Sequence, residues 1–117
     1  MTARRLVSDY LADMLDAATK AVEFTRDLTP NQFAADPKTA YAVARALEIL
    51  GEAAKNVPQD IRDAYPHLPW REMAGMRDKL IHGYFGVNPG SVWQTATEDL
   101  PPLLPALRAL ADDLRNA

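Results

Sequence analysis

Apolar residues recur at steps of three and four from the start of the chain: Val7, Tyr10, Met14, Ala17, Ala21, Phe24 and Leu28 line up on one side of a helix. Asp9, Asp13, Asp16, Lys20, Glu23 and Asp27 keep the same rhythm on another face, and no proline or glycine interrupts residues 2–28. A long amphipathic helix is therefore expected, ending at Thr29-Pro30. Thr29, Pro30 and Gln32 have the spacing of a capped short turn, and Asp36-Pro37 repeats the signal for a second long helix. That helix carries Val43, Leu47, Leu50, Ala54 and Val57 in one stripe, with Arg45, Glu48, Glu52 and Lys55 in another, and should end near Asn56. Gly51 in its interior costs about 1 kcal/mol relative to alanine, which suits a place where another backbone comes close.

Pro58, Pro66 and Pro69 confine residues 58–70 to one short helical turn and a connector. A third helix is predicted from Pro69 or Trp70 through Met73, Met76 and Leu80, failing around Gly83 to Gly86. Asn88-Pro89 then caps a fourth, in which Ala96, Leu100, Leu103, Leu107, Leu110 and Leu114 keep the three-four rhythm. Pro101, Pro102 and Pro105 should bend or break it. No stretch alternates with period two. The expectation is an all-α, up-and-down bundle of four main helices with short accessory turns, forming one domain over residues 1–117.

Composition narrows what such a bundle could do. A chain of 117 residues, 48% hydrophobic and 25% charged, can bury about two thirds of its surface and is not a disordered segment. No apolar run approaches the ~20 residues that span a bilayer, so no membrane role is expected. The absence of cysteine excludes thiolate catalysis and thiolate-ligated metals, and polar residues stand where a signal peptide has its apolar block; a cytoplasmic protein is expected. A net charge of −3 argues against electrostatic coating of nucleic acid, so any action on it must rest on a small local site.

His67 and His82 are the only histidines, and there is no HExxH, defensible Ser-His-Asp order or phosphate-cradling glycine loop. His67, between prolines in a connector, reads as a surface or packing residue, and Met73, Met76, Trp70 and Trp93 read as packing, with no cofactor implied. Chemistry concentrates instead in Arg77-Asp78-Lys79-Leu80-Ile81-His82-Gly83-Tyr84. Arg77 lies four residues after Met73 and three before Leu80, so its charge emerges among apolar neighbours and needs a partner or a substrate. His82 is displaced from it by about 140° in a regular helix, so unwinding at Gly83 or a second chain must bring the two together. A histidine near a helix C-terminus is suited to acid–base work near neutral pH, and an adjacent arginine suits a phosphate. By spacing alone, such a pair in a helical protein is more often a surface ion pair or a cap than a catalytic site.

At these residues the chain resembles the HepT-like branch of the HEPN ribonucleases, toxins of prokaryotic toxin–antitoxin pairs. Arg77 to His82 matches the family's arginine, four residues, histidine pattern, and Tyr84 completes its histidine, any residue, tyrosine extension. The blocks GEAAKNVP at 51–58, PW at 69–70, GMRDKLIHGYFGVN at 75–88, VW at 92–93 and DLPPLLP at 99–105 follow in the family's order. Asn88 departs from the more usual aspartate but still caps a helix. The resemblance implies a metal-independent endoribonuclease without cofactor, acting on RNA. Arg77 and His82 are then catalytic, Asp78 orients or modulates them, and Glu52 could support the arginine. Cleavage by the 2′-hydroxyl needs a base, an acid and positive charge at the phosphorane, which one His82 cannot easily supply alone. A homodimer apposing two such sites is expected for that reason. Tyr84 matches the family's acceptor of adenylyl groups from a nucleotidyltransferase antitoxin, and AMP there would obstruct the RNA phosphate. The alternative is a non-catalytic helical subunit that docks a nucleotidyltransferase, inert toward RNA by itself.

Overall fold

The computed structural model describes residues 6–76 and 88–115, and within them the chain is helical and turn-forming with no strand. The first helix, α1 (Val7–Thr25), begins where the Asp9 carboxylate accepts a hydrogen bond from the Leu6 N–H at 3.1 Å. Its buried positions are Leu11, Met14, Ala17, Ala18, Ala21 and Thr25. The stripe expected through Tyr10, Phe24 and Leu28 is thus rotated: Tyr10 and Leu28 are half-buried, and Phe24 is 43% exposed. The cause is that α1 packs on two helices, so its covered arc widens toward Leu11 and Ala18. Thr25 tolerates burial because its hydroxyl donates to Ala21 O at 3.1 Å and Val22 O at 3.0 Å. The helix stops three residues short of Leu28. Asp27 adopts φ 69, the left-handed conformation that ends a helical run and that aspartate accepts more readily than most residues.

The short α2 (Pro30–Ala34) has the anticipated capping box: Thr29 Oγ1 accepts from the Gln32 N–H at 3.1 Å, while Gln32 Oε1 accepts from the Thr29 N–H at 2.9 Å. It places Phe33 in the core, 5.2 Å centroid to centroid from Trp93. Then α3 (Pro37–Lys55) starts on Asp36, whose carboxylate accepts from the Thr39 hydroxyl at 2.6 Å and the Thr39 N–H at 3.1 Å. These bonds hold the Asp36 carboxyl below its ordinary range, because they favour the charged form. Val43, Leu47, Leu50, Ala54 and Val57 are all buried, as the stripe predicted. Small residues are frequent among the buried positions of both: Ala17, Ala18 and Ala21 on α1 and Ala44, Ala53 and Ala54 on α3, which lets the two longest described helices approach closely.

The end of α3 is held by a side chain from the next element, α4 (Gln59–Ala64). Arg62 donates from Nη2 to Ala54 O at 3.1 Å and Lys55 O at 2.9 Å, and from Nε to Val57 O at 2.9 Å. Carbonyls of the last turn, which have no partner within the helix, are thereby satisfied by a cation at the negative end of the dipole. Replacing Arg62 by methionine keeps the stem and removes these bonds; a loss of about 2 kcal/mol in a denaturant melt is expected.

The predicted third helix is interrupted. α5 (Trp70–Ala74) closes at Gly75, whose N–H bonds back to Arg71 O at 3.0 Å, and the rest of the predicted run, from Arg77 on, lies outside the described residues. A β-carbon at Gly75 would stand 3.3 Å from that carbonyl, so the glycine permits a tight end that a bulkier residue would crowd. The predicted fourth helix is divided as well. α6 (Pro89–Gln94) starts where Asn88 Oδ1 accepts from the N–H groups of Gly90 at 2.9 Å and Ser91 at 3.2 Å. A π-turn at Thr95–Asp99 follows, with Leu100 N–H bonded five residues back to Thr95 O at 3.0 Å, then a 3₁₀ turn at Pro101–Leu103 and α7 (Leu104–Arg115). Pro101 and Pro102 have no N–H to continue an α-helical ladder, which is why the break falls there. Ala96, Leu100, Leu107 and Leu110 are buried.

The all-α class stands. Two 19-residue helices, α1 and α3, form the frame; α7 packs on α1 and α5 on α3, and the described residues do not compose four continuous helices. No helix among them is long and apolar enough to cross a membrane.

Candidate functional site

Arg77, Asp78, His82 and Tyr84 all lie outside the described residues, as do Lys79 and Leu80. What can be built is the frame on either side. α5 enters the core through Trp70 and Met73, and Trp70 Nε1 donates to Tyr65 O at 3.0 Å, anchoring the connector. Met76, directly before Arg77, is 7% exposed. The motif segment therefore departs from a buried anchor. It returns at Asn88, an exposed residue whose side chain caps α6. Val92 of α6 is fully buried, and Trp93 packs on Phe33, so the return point is tied to the core within five residues.

Two clefts flank this frame. One of about 500 Å³ is lined by Pro69, Glu72, Gly75, Met76, Thr95, Asp99 and Leu103, and opens beside the last described residue before Arg77. Its floor is apolar and its charged groups are carboxylates. The other, of about 340 Å³, lies between α1 and α3 and is lined by Tyr10, Asp13, Arg45, Glu48, Ile49, Glu52, Ala53 and Asn56. Arg45 Nη1 stands 3.1 Å from Glu48 Oε2, with the Glu48 side chain only 23% exposed. Glu48 and Glu52, which the spacing of α3 places on a solvated face, thus edge a groove. Sequence reasoning missed that groove because the meeting of residues 10 and 13 with residues 45, 48 and 52 depends on which faces of two helices are apposed. Periodicity within each helix marks the faces but not their pairing.

The described residues hold no rival for the motif. His67 is exposed on its connector, its ring 6.3 Å from that of Tyr65, and borders neither cleft. Tyr65 itself is held above the ordinary phenol range by burial and by donating to Asp113 Oδ2 at 3.2 Å. Among the described residues no group of three or more histidines and carboxylates is arranged to hold a metal ion. Trp70, Met73 and Met76 are buried and Trp93 is half-buried, in keeping with packing roles.

Comparison with known proteins bears on the same stretch. The family profile of ribonuclease HepT-like proteins matches residues 14–110, an interval that includes both clefts' α3 and α5 walls and the whole Arg77–Tyr84 motif. A protein of Thermococcus cleftensis named a probable ribonuclease HepT is 52% identical over 100 residues, covering 86% of this chain and 91% of the relative. Two RNase candidates of Methanocaldococcus jannaschii are 42% and 40% identical over 113 residues, each across 97% of this chain and 97% and 93% of their own lengths. No solved structure gives a significant match. A profile spanning most of the helical frame, and relatives this similar along nearly their full lengths, place the chain in the ribonuclease HepT-like family.

Proposed function

We propose that this chain is a single HEPN-like domain acting as a metal-independent endoribonuclease, the toxin of a toxin–antitoxin pair, with Arg77 and His82 of two apposed copies forming one cleavage site. The observation that carries the proposal is the family match across residues 14–110, which contains the arginine, four residues, histidine, any residue, tyrosine order intact. In the proposed reaction His82 of one copy takes the proton of the ribose 2′-hydroxyl as its oxygen attacks the adjacent phosphorus. His82 of the other protonates the departing 5′-oxygen, and the guanidinium groups of Arg77 neutralise the phosphorane. The products are a 2′,3′-cyclic phosphate and a free 5′-hydroxyl. Asp78 orients the pair. Tyr84 is the regulatory position: a cognate nucleotidyltransferase moves AMP from ATP to its hydroxyl, releasing pyrophosphate, and the added phosphate and bulk exclude the RNA.

The test is cleavage of single-stranded RNA or tRNA by the purified chain in excess chelator. Fragments ending in cyclic phosphate are expected. A chain inert toward RNA, and harmless when expressed, would overturn the enzyme in favour of a helical subunit that only docks a nucleotidyltransferase. Co-expression with that partner should raise the intact mass by whole AMP units, a gain lost in Tyr84→Phe.

A further inference from the structure

The outer face of α3 carries an arrangement that the motif chemistry does not use. Tyr41 is 67% exposed, the largest exposure of any bulky apolar side chain described, and it forms one wall of a notch of about 150 Å³ shared with Ala34, Pro37, Ala40 and Pro89. Lys38 and Arg45 stand three residues before and four after it, so the three side chains occupy one exposed strip of the helix within an arc of about 60°. An aromatic ring flanked by two cations over an apolar notch is the combination that holds single-stranded nucleic acid: the ring stacks on a base, and the cations meet the neighbouring phosphates. In a chain of net charge −3 the strip offers two exposed cations to a phosphate chain.

Asp36 and Glu48 face the strip, and Asp13 and Glu52 line the cleft that Arg45 edges. Asp36 is turned onto Thr39 as the helix cap. Glu48 pairs with Arg45, but the arginine is 69% exposed, and a surface pair of this kind is weak enough to exchange for a phosphate. Pro89 follows His82 by seven residues, a length of chain that cannot reach beyond about 25 Å. An RNA strand held at the notch is therefore within a short single-stranded reach of the motif.

We propose that Lys38, Tyr41 and Arg45 form a binding site for single-stranded RNA, in which Tyr41 stacks on a base outside the scissile position. The site rests on the ribonuclease reading. It acts on substrate affinity, not on the reacting atoms. With a single-stranded oligonucleotide of about ten nucleotides, Tyr41→Ala should raise KM roughly tenfold, while Tyr41→Trp keeps it near or below the native value. In the His82→Ala background the same order should hold for Kd measured by fluorescence anisotropy. Lys38→Gln should flatten the dependence of log Kd on log salt by about 0.7, the contribution of one phosphate contact on a single strand.

Tyr41→Ala with native KM and Kd in an otherwise active enzyme overturns this site and leaves the ribonuclease intact. If Tyr41→Ala instead changes the mass in light scattering while the affinity for RNA is unmoved, the strip is a protein contact and the site is equally overturned. A native chain that neither binds nor cuts RNA refutes the ribonuclease reading and this site together.

Discussion

His82→Ala is expected to slow RNA cleavage by about 10²–10⁴-fold, the range over which a positioned acid or base acts on a reaction of this kind. The substitution removes both proposed roles at once, because in a two-fold site each copy's imidazole serves one end of the same phosphodiester. Arg77→Ala should produce a comparable loss through the phosphorane instead of through proton transfer. The two variants separate on pH: with His82 present the rate retains its dependence near neutrality, and without it the residual rate loses that dependence. Neither change should alter the mass of the particle in light scattering. Growth arrest on expression, relieved by Arg77→Ala, is the cellular counterpart. Native cleavage rates in His82→Ala would remove the site assignment.

Leu47→Ala is expected to destabilise the fold by about 3 kcal/mol, with a fall in the thermal midpoint of about 10 °C. Leu47 has no exposed surface and sits at the middle of α3, the helix that carries both α1 and α5. Its seam with α1 is lined by alanines, whose backbones are already close and whose short side chains cannot swing in to fill the vacated volume. Leu6→Ala, by contrast, removes a side chain 66% exposed and should change stability by no more than about 0.5 kcal/mol. Equilibrium unfolding in urea distinguishes them. Equal losses in the two variants would show that the core is not organised around α3.

Local chemistry was the most readable part of this chain. Thr29 with Gln32, Asp36 with Thr39 and Asn88 with Gly90 and Ser91 are contacts within three residues, so the sequence pattern and the observed caps coincide. The stripe of α3 was legible because one face of that helix is buried along its whole length. That of α1 was not: two neighbours cover it, and Thr25 is inside because its hydroxyl bonds to its own helix, a fact that hydrophobic spacing does not register. Gly75 was passed over for a related reason. In the run that begins at Trp70 a single glycine also fits a helix interior, and only the backbone turn at Gly75, φ −83 and ψ −4, distinguishes an end from a tolerated cost.

The motif at residues 77–84 was evident as a pattern of residue types, whereas its proposed convergence on one phosphate calls for a second chain, which a single sequence does not encode by spacing. The α1–α3 groove and the exposed ring of Tyr41 were hidden for the same cause at smaller scale. Each depends on what does or does not pack against a helix face, and that is decided between elements.

The π-turn at Thr95–Asp99 sets the phase of everything after it. Each residue of an α-helix advances its side chain by about 100° and each residue of the wider π-turn by less, so a one-residue deletion that restores ordinary pitch would nearly keep the phase of α7, whereas a one-residue insertion would turn its seam by roughly that angle. With the insertion, Leu107 and Leu110 would swing away from α1, and Ala106 and Ala109 would take their places. Insertions within these five residues should consequently be far less tolerated than a single deletion or changes of residue type, provided the threonine hydroxyls that satisfy Ser91 O and Trp93 O are kept.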